Sequence, residues 1–155
     1  MSHDTPALSA QDQTEILKLL VDYAFSLDAR DFTRVAAVFT DDAEIQSVFD
    51  EYLPEGEKFA GVTTGGAALA AGVDQAFQRL DATQHLLGAT VFESTDDGVH
   101  ARTQIVAHHH RGDAFYHTGG TYDDLLVRTP SGWRIARRAL RISWTTGDPR
   151  LMLPS

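Results

Sequence analysis

Two histidines and one aspartate are the residues of this chain whose types and positions suit acid/base chemistry. His108 stands in the run His108-His109-His110, which ends a stretch of alternating residues, and His85 stands at the start of an earlier apolar stretch. Asp28 ends a helical pattern. An imidazole with an ordinary pKa of about 6.5 can take and give a proton near neutral pH. A carboxylate bonded to one ring nitrogen fixes the tautomer and raises its basicity, so these residue types predict proton transfer.

The three consecutive histidines cannot all serve one site. Side chains alternate along a strand, so His108 and His110 share one face and His109 takes the other. If residues 112 and 113 form a two-residue hairpin turn, His108 lies opposite His117. The same face then continues along the partner strand through Gly119, Thr121 and Asp123.

That face is unusually polar for a core, and we predict that it lines a pocket. His109 is then expected to face solvent or an oligomer contact. His110 is expected at the rim of the pocket or on the surface.

Helical spacing predicts three helices in the first half of the chain. The first begins after Ser9, which with Asp12 forms a capping-box pattern. Two shorter helices follow, one from Phe32 and one after the Gly65-Gly66 pair. The apolar positions that define the three patterns are Ile16, Leu20, Tyr23, Leu27, Val35, Phe39, Leu69, Val73, Phe77 and Leu80.

Strand patterns dominate the second half. Residues 43–49 alternate, and after Asp81 four long β-runs are separated by turns rich in Asp, Gly and Pro. Helices followed by a meandering antiparallel sheet predict an α+β domain in which the helices cover one face of a strongly curved sheet. A curved sheet closed by helices has the shape of a cone, and its interior is a pocket that can hold a small molecule.

Composition narrows the function classes. The chain has 155 residues, 43% of them hydrophobic, and no apolar stretch near the roughly 20 residues of a membrane helix. This predicts one domain over residues 1–155, with residues 1–8 and 149–155 as flexible or docking tails.

Absence of cysteine excludes disulfides and thiolate chemistry. A formal net charge of -9 argues against nucleic acid and anionic membranes as partners, and the N-terminus has no secretory pattern, so a cytoplasmic location is the default expectation.

Several motifs resemble the SnoaL-like branch of the nuclear transport factor 2-like superfamily, and within it the scytalone dehydratases. The resemblance covers roughly residues 10–148 and rests on SLDARDF, TQHLLGATVFE, VAHHH, GGTYDDLLVR and GWRIARRALRISW. It implies a cone-shaped α+β fold, a homo-oligomer (a dimer or a trimer), and chemistry without a cofactor.

The resemblance also implies roles for individual residues. In the scytalone dehydratases an aspartate at the place of Asp28 orients a histidine matching His108, and a histidine matching His85 completes the acid/base set. Two tyrosines that hold the substrate there fall at Leu27 and Ser47, so a different substrate is expected. The substrate-binding positions predicted for this chain are Ser47, Phe49, His110, Thr121, Asp123 and Trp144.

The predicted function is a cofactor-independent, dehydratase-like lyase acting on a small cyclic, aromatic or polyketide-type hydroxy-carbonyl compound. Phe25, Phe49, Phe77 and Trp144 are expected to supply apolar walls. An isomerase or polyketide cyclase would use the same acid/base groups.

Two further alternatives stay open. The pair His108 and His110, with His117 or His85 as a third imidazole, could hold zinc or iron in a metal enzyme. The fold could also serve as a non-catalytic small-molecule binding module, because fold does not fix function.

Overall fold

The three predicted helices are present in a computed structural model that describes residues 7–58 and 61–153. They are α1 (Ala10–Asp28), α2 (Phe32–Ala37) and α3 (Gly66–Phe77). Ser9 begins α1: its hydroxyl accepts a hydrogen bond from the backbone N–H of Asp12 and donates one to the Asp12 carboxylate. This confirms the predicted capping pattern. Asp31 begins α2 in a similar way, by accepting from the backbone N–H of Arg34.

The strands of the described residues form one curved, unclosed sheet. In chain order they are β1 (Phe39–Phe49), β2 (Val62–Thr64), β3 (Ala82–Thr95), β4 (Gly98–Arg111), β5 (Ala114–Thr129) and β6 (Gly132–Gly147). Their order in the sheet is β2-β1-β6-β5-β4-β3. The β1–β6 pair is parallel and the other pairs are antiparallel. The predicted meander is therefore confirmed as β3 to β6, and the α+β fold class is confirmed with it.

Four irregularities in the pairing of the described strands accompany the curvature, and two of them fall at glycines of the meander. The register shifts between Leu87 and Thr90 in the β3–β4 pair, and between Gly119 and Gly120 in the β5–β6 pair. A Cβ on Gly120 would lie 1.9 Å from the backbone oxygen of Arg141, so a side chain does not fit there. Bulges and glycines of this kind bend a strand, and they let the sheet wrap around the helices.

The face of the sheet that packs against the helices, called the inner face, carries the core. The largest apolar side chains of this core that are fully buried are Ile16, Leu20, Leu27, Val35, Leu126 and Ile135. Burying each such side chain contributes roughly 1.5–3 kcal/mol of transfer free energy, so this layer supplies much of the stability that fixes the sheet's shape. The opposite surface of the sheet is called the outer face.

The described part of the C-terminal segment docks on the domain. Residues Pro149–Met152 form a short 3-10 helix, and Leu151 is buried in the core cluster. Residues 1–6 and 154–155 of the predicted tails lie outside the described residues. Among the described residues, none of the helices is both long and apolar enough to cross a membrane.

Candidate active site

A cavity of about 500 Å³ lies between the inner face of the sheet and the helices. That volume is within the range of small-molecule sites, roughly 300–1,000 Å³. Its wall is mostly apolar, with a small number of polar groups. The apolar part includes Leu27, Phe49, Leu69, Val73, Phe77, Leu140 and Ile142, and the polar part includes Tyr23, Ser47, His85, His109, Thr118, Tyr122 and Arg138.

Asp28 and His85 form a hydrogen-bonded pair at this cavity. The Nδ1 atom of His85 lies 2.7 Å from one carboxylate oxygen of Asp28, and the backbone N–H of His85 donates to the other oxygen at 2.9 Å. The His85 side chain is 7% exposed and the Asp28 side chain 24%. Because a carboxylate only accepts, Nδ1 of His85 carries the proton, and in the neutral ring Nε2 carries the lone pair.

Neighbouring side chains fix the Asp28 carboxylate in place. The hydroxyl of Thr83 donates to Asp28 at 3.0 Å and accepts from the guanidinium of Arg30 at 2.7 Å. Arg30 follows α1 in a left-handed conformation, with φ of 60°, where glycine is the usual residue. Its side chain lies over the ring of Phe77, 4.7 Å from the centroid. The end of α1 is thus shaped so that Asp28, Thr83 and Arg30 form one chain of hydrogen bonds.

The same contacts keep Asp28 ionised. Burial alone would raise the pKa of this carboxyl, but the hydrogen bonds and charge of His85 and the hydrogen bond of Thr83 outweigh it and lower the pKa below its usual 3.8. An ionised Asp28 stabilises a proton on His85, which is what a general base requires of its neighbour.

His109 supplies a second imidazole to the cavity. It is 5% exposed, and its ring lies edge-on to that of His85 with centroids 5.7 Å apart. Its Nδ1 donates to the backbone carbonyl of Tyr116 at 2.9 Å. Burial lowers the pKa of His109 from 6.5 to about 4, although the bond to Tyr116 opposes the shift. At neutral pH the ring is therefore uncharged, and Nε2 is an acceptor.

The expected pairing of Asp28 with His108 is wrong, because Asp28 bonds to His85 and His108 lies on the outer face. The predicted register is correct, since His108 pairs with His117 across β4 and β5. The two faces of β4 are the reverse of the prediction: the face with His108 and His110 points outward, and the face with His109 points to the cavity. A one-residue change in the phase of a strand moves every side chain to the opposite face, so His109 takes the inward place expected of His108.

The other predicted substrate-binding residues divide between the two faces. Ser47 and Phe49 line the cavity. Four residues expected with them lie on the outer face instead: His110, Thr121, Asp123 and Trp144. Along their strands these residues alternate with the buried ones, so their side chains point away from the cavity. The ring of Trp144 covers Gly119 on the outer face.

The predicted apolar walls are correct in part. Phe49 and Phe77 line the cavity, but Phe25 is 73% exposed on α1 and Trp144 is 43% exposed. Phe25 is five residues after Leu20, which places it away from the buried stripe of the helix.

Arg138 is a cavity residue that the sequence interpretation missed. Its guanidinium is bonded to Asp124 through two 2.7 Å hydrogen bonds, and both side chains are at most 1% exposed. The rings of Tyr23 and Tyr122 lie against the guanidinium, with ring centroids 4.4 and 3.9 Å from its carbon. Among the described residues, its Nη1 atom has no hydrogen-bond partner. A buried guanidinium in the cavity wall places a fixed positive charge near any ligand bound there.

The sequence carries a signal for the inward direction of His109, whereas a bulge obscures that of Arg138. In β4 the buried residues are Val99, Ala101, Thr103, Ile105 and Ala107, and His109 continues that series. The alternation Ile135, Arg138, Leu140 contains the extra residue of a bulge, which hides the inward direction of Arg138 from a simple period of two.

A model of the SnoaL-like domain matches residues 9–139. The chain belongs to the SnoaL-like family. An uncharacterized protein of Mycobacterium tuberculosis, Rv2910c, is 33% identical over 132 residues, which are 82% of each chain. The predicted family is thereby confirmed.

Two solved structures share the fold of this SnoaL-like chain. One, from Novosphingobium aromaticivorans, carries a provisional assignment as a scytalone dehydratase; it is 20% identical, covers 89% of this chain and 88% of its own, and has a TM-score of 0.73. The other is a hexachlorocyclohexane dehydrochlorinase, LinA type 2, which is 16% identical, covers 90% of this chain and 93% of its own, and has a TM-score of 0.71.

Proposed function

We propose that this SnoaL-like chain is a cofactor-independent acid/base lyase that eliminates water from a small cyclic or aromatic hydroxy-carbonyl compound bound in the cavity. The hydrogen bond between Asp28 and His85 carries the proposal, because it orients an imidazole as a general base beside a mostly apolar cavity. Both solved structures that share the fold are named for eliminations. One is assigned provisionally as a scytalone dehydratase, and the other is a dehydrochlorinase.

His85 is the base in this mechanism. Its Nε2 takes a proton from the carbon next to the substrate carbonyl, and the carboxylate of Asp28 stabilises the imidazolium that forms. The electron pair of the broken C–H bond becomes the new C=C bond, and the C–O bond to the β-hydroxyl breaks with its electrons on oxygen. The imidazolium of His85 then returns its proton to that oxygen, and water leaves.

His109 orients the leaving hydroxyl. Its Nε2 is an acceptor, so it can receive the O–H of the substrate while His85 acts on the neighbouring carbon. In the proposal His85 takes the aspartate-oriented place that the sequence analysis gave to His108, and His109 takes the second-histidine place that it gave to His85. The two rings are 5.7 Å apart between centroids, a separation that allows both to contact one small molecule.

Arg138 stabilises the negative charge that develops on the carbonyl oxygen. Its positive charge, held by Asp124 inside the protein and beside the cavity, meets the requirement for preorganised electrostatic stabilisation. Burial also raises the pKa of Tyr23 and of Tyr122, which keeps both hydroxyls protonated. Phe49 and Phe77 give the cavity flat apolar walls, which favour a ring-shaped substrate.

The test is turnover of a panel of cyclic and aromatic β-hydroxy ketones by wild type and Asp28→Asn, with loss of water followed by mass spectrometry. We expect Asp28→Asn to slow elimination by about 100-fold or more, because an amide cannot stabilise the imidazolium. The matched control is Asp31→Asn, three residues away, where asparagine still caps α2 and activity should stay near wild type. Elimination by Asp28→Asn at the wild-type rate would contradict the proposal, and double-bond migration without loss of water would identify an isomerase of the same site.

A further inference from the structure

Three imidazoles form a compact group on the outer face, at the end of the β4–β5 hairpin. This outer histidine cluster consists of His108, His110 and His117. His108 and His110 are two residues apart on β4, and His117 lies directly opposite His108 on β5. One ring nitrogen from each of the three lies within 4.8 Å of the other two, and all three residues are partly buried.

The cluster has close to the spacing of a metal site. In tetrahedral zinc centres the Zn–N distance is about 2.0–2.1 Å, which places two ligand nitrogens roughly 3.3 Å apart. The Nε2 atoms of His110 and His117 are already 3.1 Å apart. The ring of His108 stacks on that of His117 with centroids 4.3 Å apart, so a small side-chain rotation brings the third nitrogen into range.

Without a cation, two of the three rings share one hydrogen bond. In the contact between Nε2 of His110 and Nε2 of His117, one ring donates and the other accepts, so a single proton links the two nitrogens. A divalent cation replaces that proton and accepts a lone pair from every ring. The hairpin holds the ligands in register, since the β4–β5 pairing is continuous from Val99 to the turn at Gly112.

We propose that the outer histidine cluster is a binding site for Zn²⁺ or a neighbouring divalent transition metal that favours imidazole ligands. Three imidazoles leave a fourth position open to water. The site is separate from the cavity, because His109, between the two β4 ligands, points to the inner face. The proposal therefore does not depend on the proposed lyase activity. Metal bound there would tie β4 to β5 behind His109 and stabilise the hairpin that carries it.

The experiment is calorimetric titration of the untagged full chain, first treated with a chelator, with Zn²⁺. We expect saturable binding of one ion per chain, and tetrahedral absorption bands when Co²⁺ is used instead. His117→Gln should weaken binding by at least about 100-fold, since loss of even a supporting partner of a metal ligand costs 10–100-fold. The control His100→Gln, at an exposed position of β4 outside the cluster, should bind as wild type.

Three results would overturn the proposal: no saturable binding by wild type, equal affinity in His117→Gln, or equal loss in His100→Gln. If circular dichroism shows that His117→Gln does not fold, His110→Gln takes its place and the same outcomes apply.

Discussion

The carboxylate of Asp28 acts on His85 in two ways. One oxygen binds the imidazole and the other binds the backbone N–H of the same residue, so the ring is fixed both in rotation and in position. Hydrogen bonds to a charged group contribute roughly 1.5–3 kcal/mol each, and Thr83 adds another. This explains why a partly exposed carboxylate can act as a rigid support for a base.

His109 makes the stability of the fold depend on pH. Its pKa falls from 6.5 when unfolded to about 4 when folded, so between those values the unfolded chain binds a proton that the folded chain does not. The free energy of unfolding should therefore fall as the pH is lowered from about 6.5 to about 4, by up to roughly 3 kcal/mol from this residue. Below about pH 4 both states are protonated and its contribution levels off.

Urea unfolding of chelator-treated protein at several pH values measures this effect. In His109→Asn, whose amide can still donate to Tyr116, the decrease over this pH range should be smaller by the contribution of His109. His100→Asn, changed at an exposed position, should keep the wild-type slope. An unchanged slope in His109→Asn would show that its imidazole does not resist protonation in the fold.

At the scale of strands, the bond between Asp124 on β5 and Arg138 on β6 is a buried ion pair that links two neighbouring strands. The pair is fully buried and is joined by two hydrogen bonds. Burial alone would lower the pKa of Arg138, but the charge of Asp124 outweighs it and raises the pKa, so the guanidinium stays charged. Arg138 thus lines the cavity as a cation, and the carboxylate of Asp124 stabilises its charge.

Asp124→Asn should lower the free energy of unfolding by about 3–5 kcal/mol, because it leaves a buried charge without its partner. The neighbouring residue supplies the control. Asp123 pairs with Arg141 at 3.3 Å on the exposed outer face, and Asp123→Asn should cost less than about 1 kcal/mol. Equal losses in the two variants, measured by urea unfolding, would mean that the buried pair contributes no more than a surface pair.

The same strands show what could be predicted from the sequence. The capping residues, the order of the elements and the register of β4 on β5 follow from local patterns. Of the three predicted acid/base residues, Asp28 and His85 bond to each other beside the cavity and His108 does not reach it, and their catalytic roles stay predictions. The inward face of β4 was assigned from its polar residues, although the apolar series ending at Ala107 indicates the opposite face. Burial of apolar side chains decides which face is inside, and polar character does not.

The inward direction of Arg138 could not be predicted in the same way. The register of β5 on β6 shifts twice, and each shift changes the phase of the strand that follows. The apposition of Asp28 and His85 could not be predicted either. It depends on how α1 crosses β3, a packing geometry that neither local pattern specifies.

At the scale of the whole molecule, the curved sheet separates two groups of histidines. The inner face presents His85 and His109 to a mostly apolar cavity, and the outer face presents the outer histidine cluster to the surface. The histidine run in β4 supplies both groups because alternation sends its middle residue one way and its flanking residues the other. We therefore propose proton transfer at the inner face and metal binding at the outer face.

Hydrogen–deuterium exchange at the α-carbon of a bound hydroxy ketone, followed by proton NMR in D₂O, is the measurement that reports proton abstraction by His85. It detects proton abstraction even when no water is eliminated. With chelator-treated protein, we expect wild type and His108→Gln to catalyse exchange at similar rates, and His85→Gln to be slower by about 100-fold or more. Exchange by His85→Gln at the wild-type rate, or its loss in His108→Gln, would contradict the assignment of the base to the inner face.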